Sequence, residues 1–148
     1  MTSVLDTLDD AFFDTTIFVY AYTEPHTVKG RKTGELLEAV FTGKRRAFIS
    51  NQILAELGYV LLSKYGVDPE EVETIIGSLL SNRNWIKVNY SGGTVAKCIR
   101  SVSLYRSRFF DTLIADTMKE NSIAKVVTEN TKDFEKIEGI TIIDPFKH

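Results

Sequence analysis

Cysteine is almost missing from this chain. Cys98 stands alone, which excludes an internal disulfide framework and a cysteine-rich zinc site. Histidine is nearly as scarce: His26 and His148 are too isolated for a metal or proton-transfer role, and surface positions suit them better. Long hydrophobic runs are lacking too, since no window reaches the roughly 20 apolar residues that cross a bilayer. The first residues, Met1 to Asp6, have neither the basic start nor the apolar run of a signal peptide. A cytoplasmic setting, away from membranes, is therefore expected. No charge sign dominates: 18 lysines and arginines against 20 acids leave a formal charge of -2. There is no global pull toward nucleic acid, so any such binding would depend on local basic patches or bound cations. Repeats, low-complexity segments and linkers are also absent, and 148 residues read as one domain spanning 1–148.

What is present is an alternation of short apolar runs with helical periodicities. Phe12-Phe13 reads as a strand, Asp14-Thr15-Thr16 as a turn, and Ile17 to Tyr20 as the start of a helix. The breaker-rich stretch from Glu24 to Gly30 reads as a loop, and Lys32 to Val40 as a helix with Leu36, Leu37 and Val40 on one face. Ala47-Phe48-Ile49 suits a second strand, and Ser50 suits the N-cap of a helix carrying Ile53, Leu54, Leu57, Val60 and Leu61. Asp68-Pro69-Glu70-Glu71 is a strong helix start. Trp85 to Val88, Lys125 to Val127 and Ile140 to Ile143 are further strands. Helices are expected from Thr94 to Leu104 and from Asp111 onward. Strands alternating with helices predict an α/β domain with a mostly parallel sheet.

The chemistry concentrates on acids at strand ends and helix starts. A lone carboxylate between apolar runs, as Asp14 is, costs several kcal/mol if buried unpaired, so it should reach water, a metal or a partner. In open α/β sheets ligands bind beyond the carboxyl ends of the strands. Asp14 belongs at that edge, and Asn130 and Asp133 follow the strand at Lys125 to Val127 onto it. Asp111 starts a helix, and Glu56 borders the apolar face of another. Such oxygen-rich acidic clusters suit Mg²⁺ or Mn²⁺. Asp116, about 140° around its helix from Asp111, is expected to be exposed.

The stretches Phe13-Asp14-Thr15-Thr16, Ser50 with Ala55-Glu56-Leu57, Phe110-Asp111-Thr112-Leu113-Ile114-Ala115 and Val127-Thr128-Glu129-Asn130-Thr131-Lys132-Asp133-Phe134 occur in this order over most of the chain. Together they resemble the PIN-domain nucleases, and among them the VapC-type toxins of toxin–antitoxin pairs. The resemblance implies a three-layer α/β/α fold with a central sheet of about five strands. It implies an endoribonuclease dependent on Mg²⁺ or Mn²⁺, in which Asp14, Glu56 and Asp111 hold the metal and Asp133 joins them in catalysis. Thr15 and Thr128 take the place of hydroxyls that orient the first acid and metal waters. Asn130 stands where many members carry a fourth acid, which leaves the metal count open. The implied partners are an RNA substrate, a cognate antitoxin seated between the helices at Lys32–Val40 and Ile53–Ser63, and a second copy of the chain in a homodimer.

RNA approaching an acidic chain needs cations. Arg106 and Arg108, just before Asp111, are the preferred phosphate contacts; Lys29, Arg31, Lys32, Lys44 to Arg46 and Arg100 are the other available groups. Two alternatives remain beside the nuclease: a PIN-like RNA-binding or scaffold protein without turnover, and a phosphoryl-transfer enzyme of the haloacid dehalogenase type. The latter is disfavoured by Thr16, where it would need a second aspartate.

Overall fold

Parallel strands buried on both faces read as continuous apolar runs, because neither face meets water. The strands at Ala11–Phe13 and Ala47–Ser50 come close to this, while the edge strands keep half-exposed or polar positions. The computed structural model describes residues 8–147; of the solvated arm or short helical lead-in expected over the first ten residues, residues 1–7 lie outside the described residues, as does the surface position expected for His148. Five strands, β1 (Ala11–Phe13), β2 (Ala47–Ser50), β3 (Trp85–Val88), β4 (Lys125–Val127) and β5 (Thr141–Ile143), form one sheet in the order β3-β2-β1-β4-β5. Every pairing is parallel, with Phe12 opposite Phe48 on one side and Val126 on the other.

The helices are α1 (Thr15–Thr23), α2 (Val28–Phe41), α3 (Asn51–Ser63), α4 (Pro69–Ser81), α5 (Gly92–Tyr105), α6 (Phe109–Glu120) and the short α7 (Thr131–Glu135). The chain steps outward from β1 to β2 to β3, then returns through α5 and α6 to β4 on the far side of β1. Right-handed crossovers therefore place α1 to α4 on one face and α5 with α6 on the other. The packing agrees: α1 meets α2 and α3, α3 meets α4, and α5 meets α6. The result is the expected three-layer α/β/α sandwich. No helix among the described residues is long and apolar enough to cross a membrane.

Aromatic side chains from β1, β3, α1 and α2 lock this part of the core. Trp85 is fully buried, with the rings of Phe13, Phe18 and Phe41 at 5.2, 5.3 and 5.6 Å. Because Phe13 and Phe18 flank Asp14, this cluster also holds the turn that carries it.

Three expectations needed correction. The helix expected from Lys32 begins at Val28, inside the stretch read as a loop, because Thr27 caps it by accepting from the Gly30 N–H at 3.0 Å. The stretch from Thr128 to Asp133, expected as a turn after the fourth strand, runs into α7 from Thr131. Asp116 is buried, not exposed, because α6 is covered along its whole middle, from Thr112 to Met118.

Gly30 shows what the first of these corrections costs in sequence freedom. A Cβ at this position would overlap the carbonyl oxygen of Glu24, which already accepts from the Thr27 N–H and hydroxyl. Gly30→Ala is thus expected to destabilise the fold by about 3 kcal/mol, the upper range for overpacking. Thermal denaturation should show Tm lower by roughly 6–12 °C; an unchanged Tm would contradict this account of the α1–α2 junction.

Candidate active site

The sheet order places a topological switch point between β1 and β4, where successive connections leave in opposite directions and open a crevice. Asp14 follows β1 at that point as the N-cap of α1. Its Oδ1 accepts from the Thr15 N–H and its Oδ2 from the Thr128 hydroxyl, each at 2.8 Å. The second bond crosses the switch, from the end of β4 to the end of β1. Thr128 is itself oriented by the Asn130 N–H, which donates to its oxygen at 2.9 Å. Burial pushes the Asp14 carboxyl up to about 6 even though both threonines favour its charge; the carboxylate of Glu56 adds to the rise.

Glu56 is carried on α3, half-buried. Its Oε2 accepts from the Thr15 hydroxyl at 2.7 Å and its Oε1 from the Gln52 amide at 3.0 Å. Thr15 thus serves two acids: the backbone N–H holds Asp14 and the hydroxyl holds Glu56. Gln52 was not anticipated as a site residue. Its signal was its place one turn before Glu56, where side chains at i and i+4 meet.

Asp111 lies in the first turn of α6. It is pushed up to about 7, first by burial and then by the charges of Asp14, Asp133 and Glu56. Asp133, in the first turn of α7, is close enough to share a hydrogen bond with it. The sheet thus gathers the four predicted acids, Asp14, Glu56, Asp111 and Asp133, into one cluster. Among the described residues, however, no three His, Cys, Asp or Glu side chains form a ready metal-holding group. Both Asp14 oxygens and both Glu56 oxygens are instead engaged by protein donors. Asn130 is the N-cap of α7, with no side-chain capping bond.

The cations divide sharply. Arg108 Nε lies 3.7 Å from Asp133 Oδ1 with its side chain 80% exposed, so it stands at the mouth of the cluster and faces solvent. Arg106 is exposed at the end of α5 in a left-handed conformation, and no bond ties it to the acids. Lys29 is engaged elsewhere: its Nζ lies 2.7 Å from Glu129 Oε2 and within 5.3 Å of the Tyr20 and Phe146 ring centres. Lys44 to Arg46 precede β2 and therefore sit at the opposite, amino edge of the sheet, where Arg45 and Arg46 face Asp9 and Asp10. They are too misplaced to serve this site.

Two cavities flank Glu56. One, of about 470 Å³, is lined by Val19 and Tyr20 of α1 and by Tyr59, Val60 and Tyr65 in and after α3. The groove expected between α2 and α3 is thus found between α1 and α3, because α1 packs directly on α3. The other, of about 560 Å³, lies on the β3 side.

The fold is shared with solved structures of low sequence identity. A toxin–antitoxin complex from Klebsiella pneumoniae matches with a TM-score of 0.66 at 22% identity, covering 94% of this chain and 100% of that one. A DNA-bound VapBC from Salmonella typhimurium gives 0.65 at 21%, covering 93% and 99%. A VapC from Mycobacterium tuberculosis, described as a sarcin–ricin loop cleaving toxin, gives 0.60 at 14%, covering 79% and 87%. No curated protein matches the sequence significantly. The PIN-domain family model matches residues 11–140, nearly the whole described chain, and the protein belongs to that family.

Proposed function

We propose that the protein is an endoribonuclease dependent on Mg²⁺ or Mn²⁺ and the toxin of a type II toxin–antitoxin pair. The observation that carries this reading is the gathering of Asp14, Glu56, Asp111 and Asp133 at the switch point of a parallel sheet. Burial raises the proton affinity of Asp111 and Asp14, and the neighbouring carboxylates add to the rise. An all-oxygen set of this kind fits a hard divalent cation, which would relieve the repulsion. Asp14, Asp111 and Glu56 would hold it, with Asp133 and the Asn130 amide beside them. A cation bound there supplies acidity to water and offsets charge building on a phosphodiester.

The chain's own residues prepare the rest. Thr15 and Thr128 keep Asp14 fixed, while Thr15 and Gln52 together fix Glu56, so neither acid must reorganise when substrate arrives. Arg108 presents a guanidinium at the mouth, suited to the planar geometry of a phosphate. Arg106 is retained as a weaker, more distant phosphate contact. The apolar groove between α1 and α3 opens beside Glu56, so a segment of the cognate antitoxin seated there would cover the site. One structurally similar protein is described as a toxin–antitoxin complex and two as DNA-bound VapBC, which supports that partner. A homodimer and a cytoplasmic location complete the proposal.

Purified protein incubated with RNA should cleave it when Mg²⁺ or Mn²⁺ is added and cease when EDTA removes the metal. Cleavage that is equally fast in EDTA, or folded protein inert with both metals, would overturn the nuclease reading.

A further inference from the structure

The cavity on the β3 side of Glu56 has a lining unlike the rest of the crevice. Its walls are Asn51, Gln52 and Glu56 of α3, Asn89 and Tyr90 just after β3, and Phe110 of α6. No lysine, arginine or histidine lines it. A phosphate would find no cation in that lining and would face the Glu56 carboxylate. Flat rings and amides remain. Phe110 is 63% exposed and Tyr90 37%; Phe110 is steadied edge-on by Phe109, with centroids 5.3 Å apart. The side chains of Asn51, Asn89 and Tyr90 are exposed and make no hydrogen bond among the described residues.

The cavity is also joined to the acid cluster. The Gln52 amide donates to Glu56 Oε1 at 3.0 Å and to the Phe110 carbonyl at 3.1 Å. Both partners are acceptors, which fixes the orientation of the amide and ties the wall of the cavity to the residue before Asp111. A group lodged here is therefore held beside the acids.

We propose that this cavity is a subsite for one unpaired nucleobase of the RNA, next to the phosphate that is cut. An unstacked base offers a π face for Tyr90 and Phe110 and a hydrogen-bonding edge for the amides of Asn51 and Asn89, the combination by which single-stranded RNA is read. At about 560 Å³ the cavity falls within the usual range for small organic ligands. The inference rests on RNA being the substrate, but it concerns binding and does not require turnover.

The test separates the two. Binding of short fluorescent oligoribonucleotides is measured in EDTA, where no cleavage is expected, with intact strands and with strands carrying one abasic nucleotide at successive positions. For the wild type, one abasic position should weaken binding about 5- to 150-fold, as losing one base–aromatic stack does. Tyr90→Ala should weaken binding of the intact strand by a similar factor and make that abasic position cost less than it costs the wild type. Asn89→Ala should change which base is preferred there. Tyr90 and Asn89 are exposed loop residues, and an unchanged Tm would confirm that both variants fold. Variants that bind every strand within twofold of wild type, or Tyr90→Ala weakening intact and abasic strands equally, would overturn the subsite. Metal-dependent cleavage would survive that failure untouched. Conversely, the predicted abasic pattern from a folded protein that leaves RNA intact in both Mg²⁺ and Mn²⁺ would sustain the subsite and remove the nuclease.

Discussion

Asp14→Asn is expected to lower RNA cleavage by at least about a hundredfold while leaving the fold in place. The two parts of this expectation have separate causes. Cleavage falls because the central carboxylate of the cluster loses its charge. A cation's stabilisation of the reacting phosphate contributes several kcal/mol, and each 1.36 kcal/mol is tenfold in rate. The fold survives because asparagine has the same shape and can keep both contacts. Its Oδ1 still accepts from the Thr15 N–H. Its Nδ2 turns toward Thr128, whose hydroxyl accepts as readily as it donates. The measurement is cleavage rate in saturating Mn²⁺, paired with Tm in EDTA. Undiminished cleavage with an intact fold would remove Asp14 from the chemistry. Loss of cleavage together with a collapse of Tm would make it a structural cap only, the role that its place at the start of α1 also permits.

Asp14 was legible in the sequence because its setting is local: an acid between two apolar runs has few places to go. The order of the strands was not. Thr128 reaches Asp14 across 114 positions only because β4 pairs with β1 and not with β3, and no periodicity shows which strands will be neighbours. The same holds for Lys29, which was counted as an RNA cation yet bridges 100 positions to Glu129. Lys44 to Arg46 illustrate the opposite case. Their place just before a strand already assigned them to the amino edge of a parallel sheet, the wrong edge for the acids. Asp116 was misjudged because helical geometry measures an angle from Asp111 but not how many faces of α6 are covered. Burial, and after it the charge of Asp116, raises the thiol of Cys98 on α5, which marks the second covered face.

In EDTA at pH 8, Asp111→Asn should melt higher than the wild type, although the residue is proposed to be indispensable to cleavage. Asp111 and Asp14 rise to about 7 and about 6 from a value of 3.8, so the folded protein holds these protons more tightly than the unfolded chain does. Linkage then fixes the sign: the stability they contribute is complete below about pH 4 and is lost as pH rises through 6 and 7. At pH 8 the metal-free wild type bears the full cost of burying these charges and of their mutual repulsion. Taken whole, a rise of about three pH units would be worth about 4 kcal/mol. Asp111 is only half-buried, and solvent screening reduces that to about 1–2 kcal/mol. The expected gain for Asp111→Asn is roughly 2–8 °C in Tm at pH 8, shrinking toward zero at pH 4. Mn²⁺ should reverse the order. A cation at a hundred times its dissociation constant stabilises the wild type by about 2.7 kcal/mol, whereas the variant has lost one of the proposed ligands and gains less. Melting curves of both proteins across pH, with EDTA and with Mn²⁺, read all three expectations. A variant no more stable than wild type at pH 8 would mean that the acids do not strain one another. A gap unaffected by Mn²⁺ would mean that the strain is not relieved by a cation. Both results would count against a cluster kept at a cost in stability because metal binding requires it.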